Sequence, residues 1–284
     1  MLEIVRPGLW DTIQDRGRFG YRGIGVPLSG SMDQEAFSHA NRLLRNAPDA
    51  AALEVCQNGG VYLFKAPTCF VLCGPTLEAV LDDHSIVTHT LYWAKRGSVL
   101  SLRRVINGVY AYVAVKGGFV TDQKLNSRSM HPSLYGIQKL KKGDQLPYQA
   151  YEGPKIEVDR PTLPMDQQET VLEAIPGPEF HHLHPSTDFS SLKFTLSDHN
   201  RMGYRLLPSV HLKRSTESIR SAAVFPGIVQ LTPSGECIVL HRDAQVSGGY
   251  PRILILKEQS LNRLAQIKRG EIIEIKCTID APFT

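Results

Sequence analysis

The sequence predicts a mainly β protein with short helices, built as two barrel-like domains related by internal duplication. Three observations carry that prediction: apolar segments of strand length recur along the chain, a charged glycine-bearing phrase is spelled twice, and further pairs of phrases repeat in the same order. The segments GVYLF, CFVLC and VYAYVAV in the first half, and CIVLHR, RILILK and EIIEIK in the second, are rich in β-branched and aromatic residues. Glycine, proline and asparagine punctuate them, the spacing of barrels and sandwiches.

The duplication is read from four matches in order. TIQDRGRFGYR at 12–22 returns as TLSDHNRMGYR at 195–205, and Leu2-Glu3 before Pro7-Gly8 is matched by Leu172-Glu173 before Pro176-Gly177. VKGGF at 115–119 pairs with VSGGY at 246–250, and LKKGD at 140–144 with IKRGE at 267–271. An internal repeat is the economical reading. A boundary between residues 150 and 170 follows, with PTLPMDQQE and its Pro161 and Pro164 as linker, giving domains 1–160 and 161–284.

Two helices are expected. Ser31 with Gln34 three residues on forms a capping box, Met32, Ala36, Phe37, Ala40, Leu43 and Leu44 fall on one face, and Asn46-Ala47-Pro48 stops the helix. A shorter one is expected from Ser260 to about Lys268.

Composition excludes several classes. The 284 residues carry 32 basic and 28 acidic side chains, a net charge of +4, and the densest basic run, Lys139 to Lys142, is interrupted by Leu140 and followed by Asp144. Nucleic acid is not an expected partner. Glu3, Arg6 and Pro7 stand where a secretory signal needs an apolar run, and no later run approaches membrane-spanning length, so a cytoplasmic protein is expected. The five cysteines, at 56, 69, 73, 237 and 277, lack the paired spacing of structural zinc and read as buried thiols. Cys69 and Cys73 share one face of a strand and could supply two ligands, but no second pair is visible and no metal is expected.

The repeated phrase has two readings. In the structural one, Asp15 and Asp198 accept backbone N–H bonds in a turn, Gly20 and Gly203 supply permissive dihedrals, and Arg18 and Arg201 pair with those aspartates. In the functional one, Ser29-Gly30-Ser31 leads into a helix N-terminus able to hold a carboxylate or phosphate. His181, His182 and His184, with Asp188 nearby, could serve a metal or form a solvated loop. Gly117-Gly118 and Gly248-Gly249 either permit close approach of a ligand or of backbone or form a bulge or tight turn. Neither a Walker-type phosphate loop nor a glycine-flanked serine nucleophile is present, so ATP chemistry requires another architecture or another chain.

The runs PGLWDTIQDRGRFGYRGIGVPLSGSMDQEAFSHANRLLRN and NAPDAAALEV, with SDHNRMGYRL, SAAVFPGIVQLTPSGECIVL and RDAQVSGGYPRI, span nearly the whole chain. Together they resemble the biotin-dependent carboxyltransferase, or allophanate hydrolase subunit 2, family, and most of all those members that form the C component of 5-oxoprolinase. The resemblance implies cyclophilin-like barrels, partnership with subunits A and B, and ATP-dependent opening of 5-oxo-L-proline to L-glutamate. It also leaves open a carboxyltransferase acting on urea or a related amide, which alone would require biotin on another chain, and a regulatory protein binding a partner that resembles the B component. This chain has no A-M-K-M biotinylation sequence.

Carried over residue by residue, the family pattern falls on Gln14, Asp15 and Arg18; on Ser29, Gly30, Met32 and Asp33; and on Asn41 and Glu54. In the second half it falls on Arg201, Gly203, Tyr204, Arg205, Gln230, Asp243, Gly248, Gly249 and Tyr250. Two departures stand out: Ile137 and Gln138 replace a usual glycine and arginine, and Arg242 opens a stretch that usually begins with alanine. Lactam hydrolysis with ATP would phosphorylate the amide oxygen before water attacks, so arginines must hold anionic charge and a carboxylate must orient water. Arg18 and Arg201 are the expected anion binders, Asp15 or Asp33 the group for water or the lactam N–H, and the Ser29–Met32 backbone the oxyanion holder. ATP binding is expected to be shared with partner subunits.

Overall fold

The computed structural model describes residues 1–136, 139–154, 156, 170–183, 192–210, 212 and 219–278. The expected linker at 161–169, the 160/161 boundary, Ile137, Gln138, His184 and Asp188 lie outside those residues. The chain divides into two compact units: Met1–Phe19 with Ser29–Gln167, and Gly20–Leu28 with Gln168–Thr284. The assignment of residues 20–28 to the second unit is not among the features read from the sequence. Arg22 ties that segment down by donating from Nη2 to the carbonyl of Val224.

The protein is mainly β, as its alternating apolar segments require. In the first unit the strands lie in two antiparallel sheets. One runs in the order Gln145–Leu146, Leu2–Arg6, Val61–Phe64, Val99–Val105, Leu77–Leu81, His84–Ile86; the other Trp10–Gln14, Ala52–Cys56, Tyr110–Val115, Thr68–Cys73, Leu91–Ala94. Both contribute to one core, in which Ile4, Tyr62, Phe64 and Leu100 of the first sheet join Leu53, Phe70, Leu72 and Val113 of the second. The rings of Phe64 and Phe70 meet with centroids 5.1 Å apart. Each such buried side chain is worth about 1.5–3 kcal/mol.

Period two then decides where the first helix goes. Phe70 and Leu72 enter that core, so Cys69, Val71 and Cys73 point to the opposite face of their strand. There α1 (Gln34–Leu43) packs, burying Ala36, Phe37, His39, Ala40 and Leu43. The helix begins later than the sequence suggests. Its N-cap is Asp33, whose carboxylate accepts from the N–H groups of Glu35 (3.1 Å) and Ala36 (3.0 Å), rather than Ser31. The aspartate beside the first free turn is the better acceptor, and Gln34 donates instead to the Ser31 carbonyl at 3.1 Å. A short α2 (Pro132–Tyr135) ends at Gly136, where a φ of 67° demands glycine.

The second unit closes into a seven-stranded barrel: Val171–Pro176, Arg252–Leu256, Ile228–Leu231, Cys237–Leu240, Gly203–Pro208, Leu192–His199 and Ile272–Cys277. The ring is sealed by the parallel pairing of Val171–Ala174 with Glu274–Cys277, its one parallel ladder. Glu258–Gln266 forms α3, close to its expected span, and buries Leu261, Leu264 and Ala265. Among the described residues no helix is long and apolar enough to cross a membrane.

Candidate active site

The two copies of the repeated phrase adopt different structures. In the first, the strand Trp10–Gln14 ends and Asp15 turns inward, where it is 5% exposed. Its Oδ1 accepts from the hydroxyls of Ser127 (2.7 Å) and Ser129 (2.6 Å) and from the Gly17 N–H (2.8 Å); its Oδ2 accepts from the Arg128 N–H (2.6 Å). Arg18, fully buried, donates from Nε to the Lys124 carbonyl at 3.0 Å and from Nη2 to the Ser129 carbonyl. The expected turn with aspartate-bound N–H groups is present, but the acceptors of Asp15 are filled by hydroxyls and backbone rather than by Arg18. Gln14 donates to Thr12 Oγ1 at 3.0 Å. Together Gln14, Asp15 and Arg18 clasp the loop 124–130 to the strand end.

The Ser29–Asp33 turn stands beside this clasp. Ser29 holds a left-handed φ of 57°, and Gly30 a φ of 95° with a Cβ position only 2.9 Å from the Arg16 carbonyl oxygen, so no larger residue fits. Of the Ser29–Met32 N–H groups expected to hold an oxyanion, those of Ser31 and Met32 are committed within the protein, as is that of Asp33 beyond them. Ser31 donates to the Asp15 carbonyl (3.0 Å), Met32 to Glu54 Oε2 (2.7 Å) and Asp33 to the Tyr112 hydroxyl (2.8 Å). Tyr112 in turn donates to Glu54 at 2.9 Å, and burial beside that carboxylate holds its phenol protonated, well above its ordinary range. Asn41 lies apart at the helix end, donating to the Ala50 carbonyl at 2.8 Å. This half of the candidate set is a buried scaffold, although the hydroxyls of Ser29 and Ser31 are buried without a partner among the described residues.

In the second copy the phrase is a hairpin. A register shift after Leu196 precedes Asp198, and Asn200 caps the turn, its side-chain oxygen accepting from Met202 (2.8 Å) and Gly203 (3.2 Å). Gly203 belongs to the strand and has no left-handed φ, unlike Gly20 at 90°. Arg201 pairs with Asp243 instead of Asp198, from Nε to Oδ2 at 2.7 Å and from Nη2 to Oδ1 at 3.3 Å. The Asp243 N–H returns to the Arg201 carbonyl at 2.9 Å, which fixes the fork geometry. Arg242, the residue departing from the family pattern, is buried and anchors α3 through Glu258 (2.6 Å) and Asn262 (2.8 Å).

Above this bracing opens a cleft of about 240 Å³, lined by Asn200, Met202, Gly203, Arg205, Gln230, Ile238, Leu240, Gln245, Gly248, Gly249 and Tyr250. Six expected residues, Gly203, Arg205, Gln230, Gly248, Gly249 and Tyr250, thus meet on one surface. Gln230 is buried and reaches the Tyr250 carbonyl at 3.3 Å, while a Cβ on Gly248 would come within 2.6 Å of its amide nitrogen. A side chain there would have to push that amide aside. The Arg205 side chain is 54% exposed and only loosely paired with Glu236 at 3.4 Å, so its guanidinium is available at the cleft.

Behind the cleft Tyr204 is stacked between His199 and His241, with ring centroids 5.0 and 5.1 Å away. His241 Nδ1 accepts the Arg242 N–H and Nε2 donates to the Leu261 carbonyl at 3.2 Å, the neutral tautomer. Burial, aided by the Arg242 charge, holds its pKa well below the ordinary imidazole range, and burial lowers His199 as well. An unfolded chain takes up these protons below about pH 6.5 while the folded one does not. Stability present above that pH is therefore expected to be lost as pH falls from about 6.5 toward the lowered folded values. Thermal midpoints between pH 8 and 4.5 test this: His241→Asn should flatten the slope, and a wild-type midpoint independent of pH would refute it.

Sequence reasoning missed Tyr112, Ser127, Ser129, Asn200 and Gln245. Tyr112 hides in an apolar strand, and the others are single polar residues in loops without a distinguishing pattern.

Residues 24–276 match the family model described as carboxyltransferase domain, subdomain A and B. The C component of the 5-oxoprolinase of Escherichia coli is 35% identical over 289 residues, covering 99% of this chain and 92% of that protein. The crystal structure of TTHA0988 aligns with a TM-score of 0.83 at 29% identity, over 98% of this chain and 56% of that one. The Kluyveromyces lactis urea amidolyase structure aligns with a TM-score of 0.83 at 26% identity, over 96% of this chain and 18% of that one. The chain therefore spans about half of the first solved relative and less than a fifth of the second.

Proposed function

Since the chain belongs to the carboxyltransferase subdomain A and B family, we propose that it acts as the C component of an ATP-dependent 5-oxoprolinase, together with subunits A and B. The observation that carries this reading is Arg205 at the rim of an amide-lined cleft. A cyclic lactam presents an N–H and a C=O on one edge, which a primary amide such as Gln245 or Asn200 can meet with a donor and an acceptor at once. 5-Oxoproline adds a carboxylate, for which a guanidinium is the fitting partner. Urea satisfies the amides but brings no carboxylate to the arginine, whose pairing with Glu236 is loose, and this favours the lactam over the carboxyltransferase alternative with its biotin-bearing partner.

In this assignment Arg205 holds the substrate carboxylate and Gln230, braced against Gly248, shapes the floor. Arg201 and Asp243 fix the hairpin that carries Arg205, while Gln14, Asp15, Arg18, Asp33 and Glu54 hold the first unit's scaffold. ATP activates the lactam oxygen, with nucleotide binding shared with the partner subunits. Binding of the anion and amide is this chain's share of the reaction.

The test is ATP hydrolysis by the chain co-purified with its cognate subunits, with and without 5-oxoproline, following glutamate by mass. Lactam-stimulated hydrolysis with stoichiometric glutamate is expected. An intact complex that ignores 5-oxoproline, yet consumes urea and bicarbonate with a biotinylated carrier, would overturn the proposal.

A further inference from the structure

Away from the cleft, on the sheet face covered by α1, three side chains meet with the chemistry of a metal site. His39 projects from α1, Cys73 ends the strand Thr68–Cys73, and His89 sits in a turn with a left-handed φ of 61°. One ligand atom from each lies within 4.8 Å of the others. Cys73 is fully buried and each histidine is 8% exposed. Nε2 of His39 and Nδ1 of His89 are buried without a hydrogen-bond partner among the described residues. Two unsatisfied ring nitrogens beside a thiol demand an explanation.

Their opposite nitrogens are engaged. His89 Nε2 lies 2.9 Å from the Gly74 carbonyl, which can only accept, so the proton sits on Nε2 and Nδ1 offers a lone pair. A carbonyl orienting an imidazole in this way is the usual outer-shell support of a ligating histidine. His39 Nδ1 lies 2.7 Å from Arg42 Nη2.

We propose that His39, Cys73 and His89 bind a single zinc(II) or comparably thiophilic divalent cation, with the fourth tetrahedral position open to water. The cation displaces the thiol proton, which leaves to solvent, as a sulfur–metal bond and two nitrogen–metal bonds form. Burial raises the Cys73 thiol well above its ordinary pKa, so proton displacement opposes binding, whereas His39, lowered to about 4, is already neutral. Arg42 also opposes loading. A guanidinium only donates, so its contact places the neutral His39 proton on Nε2, the atom the cation needs. Arg42 is exposed and can turn to solvent, letting the proton move to Nδ1. A loaded site would pin α1 to the second sheet.

The competing role is a histidine–histidine contact, since the rings face each other with centroids 5.2 Å apart. Cobalt(II) titration of the full chain, read by the thiolate-to-cobalt charge-transfer band, with zinc content after gel filtration, separates the two. One equivalent is expected for the wild type. Cys73→Ser should abolish the band, and His89→Gln should weaken binding about tenfold or more. Arg42→Ala should tighten it about tenfold, a gain that misfolding cannot mimic. No saturable band in the wild type would overturn the proposal. So would a band that survives both Cys73→Ser and His89→Gln, which would place the metal at another thiol.

Discussion

Asp15→Ala is expected to lower the unfolding free energy by about 3–4 kcal/mol. The carboxylate accepts from two buried hydroxyls, Ser127 and Ser129, and from the N–H groups of Gly17 and Arg128, all between 2.6 and 2.8 Å. Alanine leaves four donors without an acceptor, each worth about 1–3 kcal/mol if it stays dry. Gly17 and Arg128 are only part-buried and regain water, which keeps the total below the sum. Asp15→Asn keeps the volume but turns one acceptor into a donor facing donors, so about half the loss remains. Urea unfolding at neutral pH reads both. A loss under about 1 kcal/mol for the alanine variant would show that the loop 124–130 is not held through Asp15.

Arg205→Ala, made in the assembled complex, is expected to raise KM for 5-oxoproline by about 10–100-fold, the worth of a charge-assisted hydrogen bond of about 1.5–3 kcal/mol. Stability should change by no more than about 0.5 kcal/mol, because the side chain is half-exposed and its contact with Glu236 at 3.4 Å is weak. Arg205→Lys should recover part of the affinity, keeping charge but losing the planar fork. Steady-state kinetics with varied lactam measures this split. An unchanged KM would remove Arg205 from the substrate's surroundings.

Much of the architecture was legible because it depends on short-range pattern. CFVLC and VYAYVAV alternate or run apolar at strand length, and the strands Thr68–Cys73 and Tyr110–Val115 form where those segments lie. The N-cap slipped by two residues because Ser31 and Asp33 are both good caps, and it is the Asp33 carboxylate that accepts from the N–H groups of Glu35 and Ala36. The partners of the repeated phrase were not legible. Arg201 meets Asp243 and Asp15 meets Ser127 and Ser129 through contacts more than 40 residues away in sequence, set by closure of the sheets rather than by local spacing. Close approach was one of the readings open for the glycine pair at 248–249, and it applies at Gly248 alone; nothing in the sequence told that Gln230 is the side chain approached. Cys73 was weighed as a ligand beside Cys69, but its grouping with His39 and His89 was not legible because a helix, a strand end and a turn bring the three together.

In the proposed function the second unit's cleft receives the lactam. Hydrogen–deuterium exchange of the assembled complex, with and without 5-oxoproline, tests it most directly. Slowed exchange is expected at residues 200–205 and 245–250, abolished by Arg205→Ala. Turnover of 5-oxoproline by the same complex with exchange unchanged in both segments would contradict it.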